Sequence, residues 1–211
     1  GLSAADLGVL TAVLFLTFGA LQLPLGVWLD RFGPRRVQAV LLAVAAIGAA
    51  VFASAHDLLG LILGRALIGL GVAGALMAGL KALVLWFPAE RIALANGWLI
   101  TLGALGAVTA TAPAEMLIAS IGWRGLFLLL AILSASAALL ILQFVPERPT
   151  RGRGETTASG MTIRAVYRDA QFWRIAPLSA TTIGSAWALQ SLWAGPWLDE
   201  VEGLPRHDVV M

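Results

Sequence analysis

The 211-residue chain has no cysteine, one tyrosine, one lysine and two histidines, and only 12% of its residues are charged. Without cysteine there is no disulfide framework and no thiolate metal site. His56 and His207 stand apart from one another, so no metal cluster is expected, and no other cofactor either. A soluble domain carries about a quarter charged residues, so this composition cannot cover a solvated surface. What is present in quantity is apolar: 59% of the residues are hydrophobic and the mean hydropathy is +0.88. Apolar stretches of about 20 residues recur, the length that crosses a hydrocarbon core as helix. The class is therefore an all-α, polytopic transmembrane helical bundle, multi-pass in a cell membrane with the lipid bilayer as its first partner. In such a chain the net charge of +2 has a topological meaning, and no nucleic-acid partner is expected.

Six spans are expected, over residues 7–29, 37–55, 58–87, 94–121, 125–145 and 172–198. Residues 1–145 hold the first five and read as most of one helical bundle. Residues 146–171, rich in Arg, Thr, Gly and Pro, read as a linker with too little apolar content to pack alone. Residues 172–211 read as the sixth span and a polar tail. Arg31, Arg35, Arg36, Arg91 and the linker arginines fall on one side, which the positive-inside rule makes cytoplasmic. The preference for Arg over Lys, with much Ala, Gly and Leu, suggests a bacterial gene and so the inner membrane.

The densest charge cluster is "GVWLDRFGPRR", Gly26 to Arg36. Gly26 near the end of the first span would let another backbone approach. Gly33 can take the positive-φ turn that ends a helix, and Pro34 suits the first turn of the next. Asp30 is the odd residue, because an acid at a helix C-terminus opposes the macrodipole. It calls for a cationic partner, which Arg31 and Arg35 could supply in part locally, or for a neighbouring helix N-terminus.

Gly26, Asp30, Arg31, Gly33, Arg35 and Arg36 match the pattern G-x3-D-[RK]-x-G-x-[RK]-[RK]. This resembles the loop between helices two and three of the major facilitator superfamily. "RALIGLGVAGA", Arg65 to Ala75, resembles the family's helix-four motif, with Ile68 where glutamine is common. "GWRGLF", Gly122 to Phe127, resembles the start of helix six, and "ALQSLWAGPWL", Ala188 to Leu198, resembles helix seven of one bacterial branch. The resemblance implies a partial major-facilitator fold with six spans, corresponding to helices two through seven. It also implies an internal fragment whose partners include the missing helices of the same polypeptide. Complete members have two six-helix bundles that rock around a central cavity, and the Gly26–Arg36 motif would then be a conformational gate between them.

Ionisable groups inside spans are costly and default to functional candidates. Arg65 lies about 10 Å from the outer end of the third span at 1.5 Å per residue, and Glu115 lies at a similar depth in the fourth. They could pair, sparing each part of its desolvation cost. Alternatively Arg65 is a static clamp or snorkels outward. Lys81, near the other end of the third span, reads as a snorkelling lysine. In the sixth span Trp187, Gln190 and Ser191 share a helical face. The resemblance implies that this face lines the cavity, with helix–helix hydrogen bonding as the alternative. Gln22 carries the same ambiguity. Gly69, Gly71, Gly74, Gly103 and Gly106 read as close-packing positions, and Pro113 should kink the fourth span or weaken one of its hydrogen bonds.

No enzyme constellation is present: no Ser–His arrangement, no clustered ligands, no phosphate-binding loop after a strand. The expected function is secondary active transport of a small solute by alternating access, coupled to an ion gradient, with protons as the candidate ion. A non-transporting membrane receptor or assembly subunit is the alternative.

Overall fold

A computed structural model describes residues 3–146, residues 168–189 and positions 193, 194, 197, 198, 201 and 203. The chain divides into two compact units, Gly1–Arg151 and Gly152–Met211. Among the described residues the first holds five helices: α1 (Ala4–Ser54), α2 (Leu58–Val72), α3 (Ala75–Trp86), α4 (Ala89–Thr109) and α5 (Ala112–Phe144). The second holds α6 (Ala170–Ala188). No strand occurs among the described residues.

Helix α1 opens on a capping box. The Asp6 amide donates to Ser3 Oγ at 3.2 Å while the Ser3 amide donates to Asp6 Oδ2 at 2.8 Å. The helix is interrupted at Gly33, whose φ of 78° and ψ of 158° lie where an L side chain is strained. Pro34 follows at once, where a missing N–H costs nothing because the first turn has no partner for it. Gly33 thus divides α1 into limbs 4–32 and 34–54. Leu25 and Leu29 of the first limb share a buried cluster with Val37 and Leu41 of the second and Ala78 of α3. That cluster is the hairpin expected from the glycine–proline pair. Gly122 repeats the device in α5, with φ 73° and ψ 166°, giving limbs 112–121 and 123–144.

The expected third span, 58–87, is α2 followed by α3. Ala73 and Gly74 between them keep right-handed helical backbone, so the two run on as one stretch, Leu58–Trp86. At this junction Gln22 Nε2 donates to the Ala73 carbonyl at 3.3 Å, so Gln22 ties the first limb to the α2–α3 join. The expected fourth span, 94–121, is α4 plus the first limb of α5. Pro113 does not kink a continuous helix there. The chain leaves helical geometry at Thr111, and Pro113 sits in the first turn of α5, a position that tolerates proline because its N–H would be unpaired anyway.

Five segments among the described residues are long and apolar enough to cross a membrane: Ala5–Gln22, Pro24–Ser54, Leu58–Trp86, Ala89–Thr109 and Ala112–Phe144. Helix α6 is not among them, since Gln171, Arg174, Pro177 and several Ser and Thr residues dilute its apolar character. The remainder of the expected sixth span falls largely on residues 190–192, 195 and 196, outside the described positions.

Packing in the first unit centres on α1, which lies against α2, α3 and α5. The contacts are built from small residues. A Cβ added at Gly64 would meet backbone atoms of Phe52 at 2.8 Å, and one at Gly48 would meet the Ile68 amide nitrogen at 2.7 Å. Gly71 closes in the same way on Ala45, and Gly69 on Leu14 and Thr17. Gly74 faces Leu41 and Gln38. Much of the buried apolar set is alanine, including Ala45, Ala46, Ala49, Ala53 and Ala78. Between helices in lipid, close van der Waals approach replaces the hydrophobic drive available in water. Gly26, Gly103 and Gly106 differ from the packing positions expected of them. Nothing lies within 4 Å of a Cβ built at any of the three; for Gly103 and Gly106 the reason is that α4 has no buried residue and turns large apolar side chains such as Trp98 and Leu102 outward.

The two kinds of glycine are separable by substitution. Gly71→Ala should lower stability by about 1–3 kcal/mol through overpacking, whereas Gly103→Ala should be neutral or raise it by up to about 1 kcal/mol through helix propensity. Thermal unfolding of the detergent-purified variants measures both, and equal effects at the two positions would contradict the packing described.

Candidate functional site

Charged side chains gather at the two ends of the first unit, which the glycine breaks define. At the Gly33 end, Asp30 finds its cation in Lys81 of α3, whose Nζ bonds Asp30 Oδ1. This corrects two expectations. Arg31 and Arg35 are not the partners of Asp30, and Lys81 is not a lysine that merely snorkels. Arg31 lies over the Phe32 ring at 5.2 Å. Arg35 crosses to α5, where Nη2 donates to the Leu142 carbonyl. Leu142 stands in the last turn, where carbonyls lack helical partners and the macrodipole favours a cation. Arg36 is exposed and, with Trp28, Phe32, Val37, Val40 and Leu41, borders an apolar groove of about 350 Å³. The motif thus joins three helices: Asp30 to α3, Arg35 to α5, and Gly33 as the turn between the limbs of α1.

At the Gly122 end the central residue is Arg65 of α2. Its guanidinium carbon lies 4.8 Å from the centre of the Phe52 ring and 5.6 Å from that of Phe127. Phe52 and Phe127 pack at 4.3 Å, and Trp123 meets Phe52 edge-on at 5.8 Å. These rings bring together α1, α2 and the second limb of α5. With Leu7, Leu10, Thr11 and Leu61 they line a cavity of about 320 Å³. Cation–π contact of this kind offsets part of the cost of desolvating a guanidinium. It does not satisfy the hydrogen-bonding capacity, and Arg65 Nε is buried without a hydrogen-bond partner among the described residues.

Arg65 and Glu115 form no ion pair. Glu115 is exposed at the start of α5, and its amide closes the first turn by donating to the Thr111 carbonyl at 3.1 Å. Helical depth had put the two at one level, but Arg65 faces the aromatic rings of α1 and α5. Trp187 is exposed in α6 of the second unit. Gln190, its expected neighbour on the helix face, lies outside the described residues.

Arg124 carries more of this end than its place at a span border suggested. Nη1 donates to the Ala53 carbonyl at 3.0 Å and Nη2 to the Ala55 carbonyl at 2.9 Å, while its guanidinium stacks over Trp123 at 4.7 Å. One planar fork therefore caps the end of α1 from the start of the second limb of α5.

The architecture and motifs agree with the family comparison: the Major Facilitator Superfamily model matches residues 1–210, and the chain belongs to that family. Among individual relatives, it is 28% identical over 152 residues to a probable sulfoacetate transporter of Cupriavidus necator, covering 72% of this chain and 35% of that protein. It is 25% identical to the hexuronate transporter of Escherichia coli over 100% of this chain and 52% of the relative. It is 26% identical to a nitrite extrusion protein of Bacillus subtilis, over 87% of this chain and 45% of the relative. The chain thus spans between about a third and a half of the length of these relatives.

Two expectations follow for stability. Asp30 is 79% exposed at its side chain and Lys81 24%, so a double-mutant cycle of Asp30→Asn and Lys81→Gln should show coupling of no more than about 1 kcal/mol, and strictly additive losses would deny the pair. Arg65→Gln and Glu115→Gln should by contrast be additive, with Glu115→Gln near neutral in thermal unfolding.

Proposed function

We propose that the chain is part of a secondary transporter that moves a small anion across the membrane by alternating access, driven by an ion gradient with protons as the candidate ion. One observation carries the anion assignment. Arg65 holds a positive charge inside an apolar bundle, against two aromatic rings, and among the described residues it has no acidic partner and its Nε lacks an acceptor. A desolvated guanidinium offers a planar fork of donors to a carboxylate or oxoanion. The names of the relatives point the same way, since sulfoacetate, hexuronate and nitrite are all anions.

In this reading Arg65 meets the anion and Glu115 is the candidate for ion coupling. The Gly26–Arg36 motif acts at the cytoplasmic side. Asp30, bonded to Lys81, and Arg35, bonded to the end of α5, make the ends of three helices one unit that moves together. Releasing one bond would change the balance between inward-open and outward-open states without dismantling the fold. The inner membrane of a bacterium is the location that suits such a protein.

Counterflow in proteoliposomes with labelled hexuronate, sulfoacetate and nitrite tests the reading. At least one anion should be exchanged, and Arg65→Gln should weaken its binding about 10- to 100-fold, as expected for loss of a charge-assisted contact. Asp30→Asn should slow exchange while leaving anion affinity within about threefold. Binding without flux in the unaltered protein would favour the receptor or assembly reading, and undiminished anion exchange by Arg65→Gln would remove Arg65 from the site.

A further inference from the structure

The second limb of α1 and the second limb of α5 hold one another by a reciprocal exchange. Each limb begins directly after a positive-φ glycine, Gly33 or Gly122, and each carries an arginine two residues beyond it. Arg35, at the start of one limb, donates to the Leu142 carbonyl near the end of the other. Arg124, at the start of that other limb, donates to the Ala53 and Ala55 carbonyls at the end of the first. Carbonyls at a helix end lack helical partners and need donors from elsewhere.

The Arg124 end of this exchange adjoins the Arg65 cavity. Phe52 immediately precedes Ala53, whose carbonyl Arg124 holds. Trp123 immediately precedes Arg124 and lies under its guanidinium. Phe127 is one helical turn on. The rings that frame Arg65 therefore stand on the two backbone segments that Arg124 fastens together. We infer that Arg124 is a positioning residue: by bridging α1 to α5 it sets the aromatic frame that holds the Arg65 guanidinium at the cavity. This rests on the reading of Arg65 as the anion-binding cation.

The absence of cysteine from the chain gives a test that needs no identified solute. Thr11 borders the same cavity, so a Thr11→Cys variant places one thiol beside Arg65. Its modification by the anionic sulfonatoethyl and the cationic trimethylammonioethyl methanethiosulfonates is timed in the membrane-embedded protein at low salt. A unit positive charge lining the same watery cavity should favour the anionic reagent by roughly fivefold over the cationic one, after correction for their intrinsic reactivities.

Arg65→Gln should abolish that preference. Arg124→Lys is the deciding variant because it keeps the charge but cannot present the two-pronged fork. It should lose at least half of the preference, and Arg124→Gln should lose as much or more. A purely structural role would lower yield or change both rates alike without moving their ratio. If Arg65→Gln removes the preference while Arg124→Lys retains it in full, the positioning role is overturned and the anion site stands. If Arg65→Gln leaves the preference unchanged, the anion site itself falls, and the positioning role with it. Should Arg124→Gln fail to insert, Arg124→Lys decides alone.

Discussion

Everything in the first unit depends on how closely α1 and α2 approach. Gly64 against Phe52, Gly48 against Ile68 and Gly71 against Ala45 leave no room for a single added carbon at any of the three places. In a bilayer two leucine-covered helices gain little by exchanging lipid for each other, whereas backbones in direct contact gain dispersion along their whole length. This seam fixes the axial register of α2 against both limbs of α1. The register in turn brings Arg65 onto Phe52 and brings Gln22 to the Ala73 carbonyl at the α2–α3 junction.

Polar side chains act on top of this apolar framework mainly at helix ends. Arg35, Arg124 and Gln22 all donate to backbone carbonyls of another element. The reason is common to all three. Helix ends and junctions leave carbonyls without partners, and burial among apolar neighbours makes each unpaired group costly. Arginine suits the task because one side chain can serve two carbonyls and remain charged at any accessible pH. Arg65 is the exception. Among the described residues it is spent on no carbonyl and no acid but held over rings, which is the ground on which we propose that it meets the anion.

Much was legible in the amino-acid sequence. Hydrophobic run lengths and the Gly33–Pro34 pair anticipated the first hairpin, and the stretches 58–87 and 125–145 match α2 with α3 and the second limb of α5. The limits lay in side-chain direction. Asp30 was recognised as needing a cation, but its partner is 51 residues away, and nearby arginines were the more obvious choice. Arg65 and Glu115 share a depth, yet depth along the membrane normal says nothing about which face of a helix a residue occupies. Gly103 and Gly106 have the spacing of packing glycines, but α4 turns them to open space.

What the sequence determined by itself is whatever depends on local chemistry. Apolar length sets membrane crossing, glycine permits the positive φ at 33 and 122, and Pro34 and Pro113 suit the first turns that they occupy. What only the tertiary structure decided is rotation about each helix axis and the neighbours that rotation selects. A soluble helix advertises its inward face by the contrast between polar and apolar sides. These helices are apolar nearly all round because lipid and protein neighbours make the same demand on a side chain. The choice of face therefore falls to the shapes of small residues meeting across helices, and those shapes exist only once the helices have packed.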